Sequence, residues 1–320
     1  MLAFILRRLI QAVFTIFGVM LLTFILFRAI PGDVSARYVN PKLGKAARDA
    51  WMERHRMNLP LVLNTAVHVQ FWKPEFWNTQ FFWHLRQSLT FEARSFKTDE
   101  KLTKIVAERA KYSLALTVPA MALGWLLALV VACVVAYFRG SWFDYLMTFL
   151  AVLGMCVPYL AYMIGVQWFM FNVKPTAAWG LRYPTNIYVP VAIAVIAGVG
   201  ASVRFYRTVI LDEVNRDYVR TAMAKGVPLP GVLFRHVLRN CMLPILTSLV
   251  TAIPFLIIGS LLLEQFFGIP GLGPLMLGSI NDRDIPIVTN LTFLTAALYT
   301  LGLLLTDVLY AVFDPRIRLR

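Results

Sequence analysis

The residues best suited to do chemistry gather in one short stretch, RDYVRTAMAKG, at 216–226. Arg216, Asp217, Arg220 and Lys225 alternate there with Tyr218, Thr221, Ala222 and Met223, and Gly226 closes the run. Such a mixture holds no nucleophile beside a base and no set of metal ligands. Its chemistry is recognition: an apolar stripe ringed by charge can seat on a partner surface. A second cluster, Glu264 with Pro270, Gly271 and Gly273, sets one carboxylate among turn-forming residues. The four histidines, His55, His68, His84 and His236, share no ligand spacing. Neither a nucleotide-binding P-loop nor H-E-x-x-H nor a nucleophile elbow occurs. No catalytic residue, metal or cofactor is therefore expected on this chain.

The elements that position the first cluster can be read from its periodicity. Val219, Ala222 and Met223 recur at i, i+3 and i+4, which predicts a short helix with these residues on one face. Gly226 fits the left-handed residue that ends a helix, and Pro228 bars continuation. In GVLFRHVLRN, Leu233, Phe234, Val237 and Leu238 predict one face of a second short helix, with Arg235 and Arg239 on the other. Pro244 then suits the first turn of the following helix. A basic amphipathic pair of this kind fits two roles, lying on anionic lipid or docking in a groove of a soluble partner.

Around this loop the chain is strongly apolar. Of its 320 residues 59% are hydrophobic and only 15% charged, where soluble domains carry roughly 25% charged residues. The net charge of +14 sits in loops and forms no basic stripe with interleaved aromatics, so nucleic acid is not an expected partner. Six stretches without Asp, Glu, Lys or Arg are long enough to span a bilayer: 9–27, 112–138, 145–173, 183–203, 240–263 and 285–306. The first is longer than the apolar region of a secretory signal, and is expected to be retained. With both termini inside, the inner segments carry thirteen Lys and Arg and the two short outer loops three, which sets the orientation. The segment 31–111 holds fourteen, but a loop of this length crosses regardless of charge. Its aromatic run FWKPEFWNTQFFWHL fits either a small domain or an interfacial belt. Cys133, Cys156 and Cys241 read as small apolar residues and imply no disulfide framework.

Ionisable groups approach the spans only at Arg28, Glu264 and Asp307, all near span ends. A secondary carrier would need a coupling-ion site inside the membrane, and a membrane enzyme a polar constellation at one face. Energy from a partner is the better expectation. Pro119, Pro158, Pro190 and Pro254 interrupt spans, as helices lining a cavity do.

Four ordered motifs carry a family resemblance. DYVRTAMAKGV followed by LFRHVLRNCMLP resembles the cytoplasmic loop of permease subunits of ATP-binding-cassette importers, in the dipeptide/oligopeptide/nickel branch. The N-terminal span with Pro31, Gly32 and Asp33, the LLEQFFGIPGLGPLM motif and the C-terminal DVLYAVFDPRIRLR are similar to that branch too. Its short N-terminus resembles the B-type subunit. Departures fall at Arg220 and Thr221, where the general importer loop begins Glu-Ala, and over residues 34–99.

The resemblance implies an all-α integral membrane protein with the type I importer fold, six transmembrane helices and cytoplasmic termini. It divides the chain into a first helix (1–30), a long extracytoplasmic segment (31–111), a five-helix core (112–313) with a coupling loop at 204–240, and a tail (314–320). The implied partners are a C-type permease, two ATPases that hold ATP and Mg, an extracytoplasmic binding protein and the bilayer of the plasma or inner membrane. Di- or oligopeptides are the implied substrates, with a nickel chelate, an antibiotic-like peptide or a sugar as alternatives. Residues 216–226 would couple to the ATPase through Tyr218, Thr221, Ala222 and Met223, with Arg216, Asp217 and Arg220 at the rim. Glu264, Pro270, Gly271 and Gly273 would form an outward turn at the pathway mouth.

Overall fold

The computed structural model describes residues 2–29, 33–64, 74–173, 187–253 and 261–313. Among them the chain is helical, with a single isolated bridge between Arg94 and Lys101 in place of any sheet. They form two compact units: the described residues of 112–271 with 302–313, and those of 2–111 with 272–301.

In the first unit, α6 (Leu102–Tyr137), α9 (Tyr188–Val214) and α12 (Leu238–Ala252) build one core with α10 (Asp217–Ala224). Ala128, Ala132 and Ala136 repeat every fourth residue on α6 and face Val203, Tyr206 and Ile210 of α9, with Cys241 and Ile245 of α12. Alanine at each turn lets these backbones approach closely, where dispersion replaces the hydrophobic effect inside a bilayer. α7 (Trp142–Cys156) approaches α9 closer still, since a Cβ at Gly200 would lie 2.6 Å from the Ala151 carbonyl oxygen. A second core joins Leu116, Met163, Ile193, Leu263 and Ile269.

The third expected span is not one helix. α7 and α8 (Tyr159–Val173) meet at 96° across Val157 and Pro158. Proline pushes its predecessor out of the helical region, and Val157 is extended at φ −78°, ψ 122°. The Pro158 carbonyl then accepts from Ala161 N–H to start α8, and Tyr162 Oη donates to the Gly154 carbonyl at 2.8 Å, holding the elbow. Each arm, at 15 residues, is about 22 Å long, short of the roughly 30 Å apolar layer.

Four helices among the described residues are apolar for long enough to cross a membrane: 6–28 in α1 (Leu2–Ala29), α6, α9, and 285–307 in α15 (Ile285–Phe313). The elbow pair adds a fifth span if counted as one. The expected span 240–263 is helical over its first part, while residues 254–260 lie outside the described residues, as do Pro31, Gly32, His68, residues 183–186 of the fourth span and the tail 314–320.

The second unit gives the long segment a definite structure. α2 (Ser35–Tyr38), α3 (Gly44–Arg54), α4 (Pro74–Trp77) and α5 (Gln80–Thr90) precede α6. Phe81 of α5, 1% exposed, meets Phe17 and Phe24 of α1 edge-on. Tyr38, Trp51, His55 and Phe96 form a second aromatic group. α14 (Leu272–Asp282) ends with Arg283 at φ +58°, and Asp284, 1% exposed, follows. The Asp284 carboxylate accepts from Ser95 Oγ at 2.5 Å, Phe96 N–H at 3.1 Å and Lys97 N–H at 3.4 Å. Lys97 Nζ pairs with Asp282 at 2.6 Å and Tyr38 Oη donates to the Asp282 carbonyl.

Candidate functional site

α10 owes its seat to Val219, which is fully buried, and its end to Gly226. The Gly226 N–H donates to the Met223 carbonyl at 2.9 Å and the Val227 N–H to the Ala222 carbonyl at 3.3 Å, with Gly226 at φ +80°. This is the Schellman arrangement, in which a left-handed residue lets two terminal carbonyls find donors. Tyr218 and Ala222 are half-buried against the same core as Val219. Burial raises the Tyr218 hydroxyl to about 12, with Asn240 opposing the shift and Glu213 adding to it. Thr221, Met223, Lys225 and Gly226 face outward, Met223 being 47% exposed. The charges form two loose pairs on the same outer side, Arg216 with Glu213 at 3.7 Å and Arg220 with Asp217 at 3.8 Å. Pairs this exposed contribute little to stability and leave their charge available.

The inward stripe is thus Tyr218, Val219 and Ala222, and Met223 is turned out of it. On a helix of eight residues one turn is enough to satisfy the core, and the residue after Ala222 rolls past it. The downstream half differs from the sequence expectation for a clear reason. Leu229–Gly231, a π-helix over Val232–Val237 and α12 follow one another without a break. Wider i→i+5 winding buries Val232, Leu233 and Val237, and throws Phe234 outward at 62% exposed. Pro244 accordingly lies inside α12, not at its first turn.

The root of α10 is held by polar contacts. Arg207 of α9 makes a bidentate pair with Asp144 of α7, both bonds at 2.8 Å, and Asp144 also accepts from the Gly140 N–H. Arg139 donates to Asn215, the residue between α9 and Arg216. Sequence reading overlooked Asp144 because a lone carboxylate at a span edge looks like an ordinary helix-start residue.

The second cluster is compact in a different way. Glu264 is fully buried on α13 (Leu261–Phe266), which ends at Gly268, φ +65°, with Ile269 N–H donating to the Glu264 carbonyl at 2.8 Å. Gly271 is the position that permits this: a Cβ there would come within 3.0 Å of the Glu264 carboxylate and of Ser113 Oγ. Pro270 is half-buried just before it, and Gly273 is buried in the first turn of α14. Glu264 and Gly271 are therefore in contact; Ser113, on α6, was not foreseen.

A groove of about 440 Å³ opens between α6, α9 and α12, lined mainly by small residues including Gly124, Ala194, Gly198, Ala201 and Ser248. No group of metal ligands occurs among the described residues.

Comparison with known proteins places these features in context. Residues 120–319 match the family described as binding-protein-dependent transport system inner membrane component, and residues 1–117 match the N-terminal region of such components. The chain is 32% identical over 327 residues to a putative peptide transport system permease protein of Brucella abortus (strain 2308), covering 99% of each. It is 29% identical over 328 residues to the oligopeptide transport system permease protein AppB of Bacillus subtilis (strain 168), again 99% of each. The dipeptide transport system permease protein DppB of the same strain is 28% identical over 312 residues, 95% of this chain and 94% of that one.

Proposed function

The chain belongs to the family of binding-protein-dependent transport system inner membrane components, and from that premise we propose that it passes di- or oligopeptides across the membrane under control of α10. It is the permease subunit of an ATP-binding-cassette importer, a multi-pass inner membrane protein and not an enzyme. Hydrolysis belongs to ATPase partners, and substrate is delivered by a binding protein. In the proposed assembly this chain pairs with a C-type permease and two ATPases, with six spans and cytoplasmic termini. The peptide assignment rests on what the relatives are called.

One observation carries the coupling reading: α10 exposes Thr221 and Met223 beside Arg216, Asp217 and Arg220, while Val219 fixes it in the core shared by α6, α9 and α12. A partner that seats Met223 and meets those charges can displace α10, and a close-packed core passes the displacement on to the spans as a shift between two packings. The groove lined by Gly198 is the proposed stretch of the path, and the Glu264–Gly271 contact the proposed turn at its outer mouth.

Cysteine at Met223 or Thr221 is expected to cross-link to the ATPase in the intact complex, with a yield that changes on adding ATP. Gly226→Pro is expected to abolish transport and substrate-stimulated ATPase activity without affecting insertion, because proline cannot adopt φ +80°. Full transport by Gly226→Pro, together with cysteines that label with lipid probes and never with the ATPase, would sink the coupling reading.

A further inference from the structure

We propose that this permease holds the phosphate of one anionic phospholipid in a pocket between α7 and α9. The pocket measures about 280 Å³ and is separate from the groove and from α10's outer face. Thr148, Arg204, Arg207 and Thr208 supply its polar wall, and Val135 and Ala151 an apolar one.

The charges favour an anion. Asp144, 3% exposed, is fully engaged by the bidentate bonds from Arg207 and by the Gly140 N–H. Arg207 is thus neutralised and fixed, and it still has N–H groups that make no bond to Asp144. Arg204, three residues earlier and exposed, has no acidic partner among the described residues. The site keeps a net single positive charge, and guanidinium forks match phosphate oxygens in shape as well as sign.

Depth favours a lipid over a free ion. Arg204 is the first charge after the uncharged run 183–203, and Tyr145 opens the uncharged run of α7 and α8. Trp142 and Tyr145, 75% and 70% exposed, stand out from the first turn of α7 beside Asp144, where an amphipathic ring marks the headgroup level. Val135, Ala151 and Val203 line the pocket itself with apolar surface against which the start of an acyl chain can lie. Basic pockets between membrane helices at this depth take anionic headgroups.

The test uses the purified importer complex in nanodiscs of phosphatidylcholine with graded phosphatidylglycerol, with retained lipids counted by native mass spectrometry. The wild type is expected to retain one more phosphatidylglycerol than Arg204→Ala, whose affinity for it falls by about tenfold. Arg204→Lys, which keeps the charge, is expected to recover most of that retention. Equal retention by Arg204→Ala, or equal retention of phosphatidylcholine by the wild type, overturns the proposal. Inorganic phosphate added as competitor is expected to leave the lipid bound; displacement at millimolar phosphate would assign the pocket to a free ion and overturn the lipid assignment.

Discussion

His84 shows how one side chain can tie this protein to pH. It is 6% exposed on α5, its ring stacked at 6.0 Å on Phe24. Burial, with the nearby charge of Arg28 adding to it, lowers its pKa from 6.5 to about 4. The neutral imidazole is the form the fold accepts, so the unfolded segment takes up a proton first as pH falls. Stability is full above pH 6.5 and is lost progressively down to about 4, by at most about 3 kcal/mol. Melting of the unit that holds α5, followed by tryptophan fluorescence, is expected to show this slope, and His84→Asn to remove it. Nothing in the sequence marked His84, since a histidine in an aromatic run reads the same whether buried or exposed. Gly226 was legible because only a left-handed cap explains glycine followed two residues later by proline. Met223 was not, because a face read from spacing cannot say where a short helix stops needing the core.

At the scale of elements, helix ends do much of the positioning. α10 and α13 close with glycine at positive φ, whereas α3, α5 and α14 close with Arg56, Phe91 and Arg283 in the same left-handed region. In the last case the turn delivers Asp284 to three donors from residues 95–97. Asp284→Ala is expected to leave those donors without their acceptor and to lower the stability of this unit by about 3 kcal/mol. Limited proteolysis near residue 97 and a thermal melt would check it; an unchanged melt would show that water replaces the carboxylate at no cost. The helical class and the apolar spans could be read directly, because charge-free runs of this length have few alternatives in a bilayer. The elbow at Val157 and Pro158 could not, since proline inside a span bends some helices and breaks others according to packing that the local sequence does not contain.

Across the whole molecule the permease has to remain packed while offering a passage. In the proposed path, the groove of about 440 Å³ is lined mainly by small side chains, and a Cβ at Gly198 meets nothing within 4 Å. Gly198→Phe is therefore expected to fold and assemble normally while blocking uptake in a transport assay; uninhibited uptake would place the path elsewhere. The π-helix over Val232–Val237 has a consequence of another kind. It is one residue longer than the α-helical turn it replaces, so it absorbs an insertion without rotating what lies on either side. Removing the outward-facing Phe234 is expected to convert it to α-helix and leave both α10 and α12 in phase, with transport largely retained. Removing Thr247 from α12 would instead turn every later residue by about 100° about the helix axis and abolish transport. The loop between α10 and α12 can thus shorten by one residue while the helix it feeds keeps the same face toward the core.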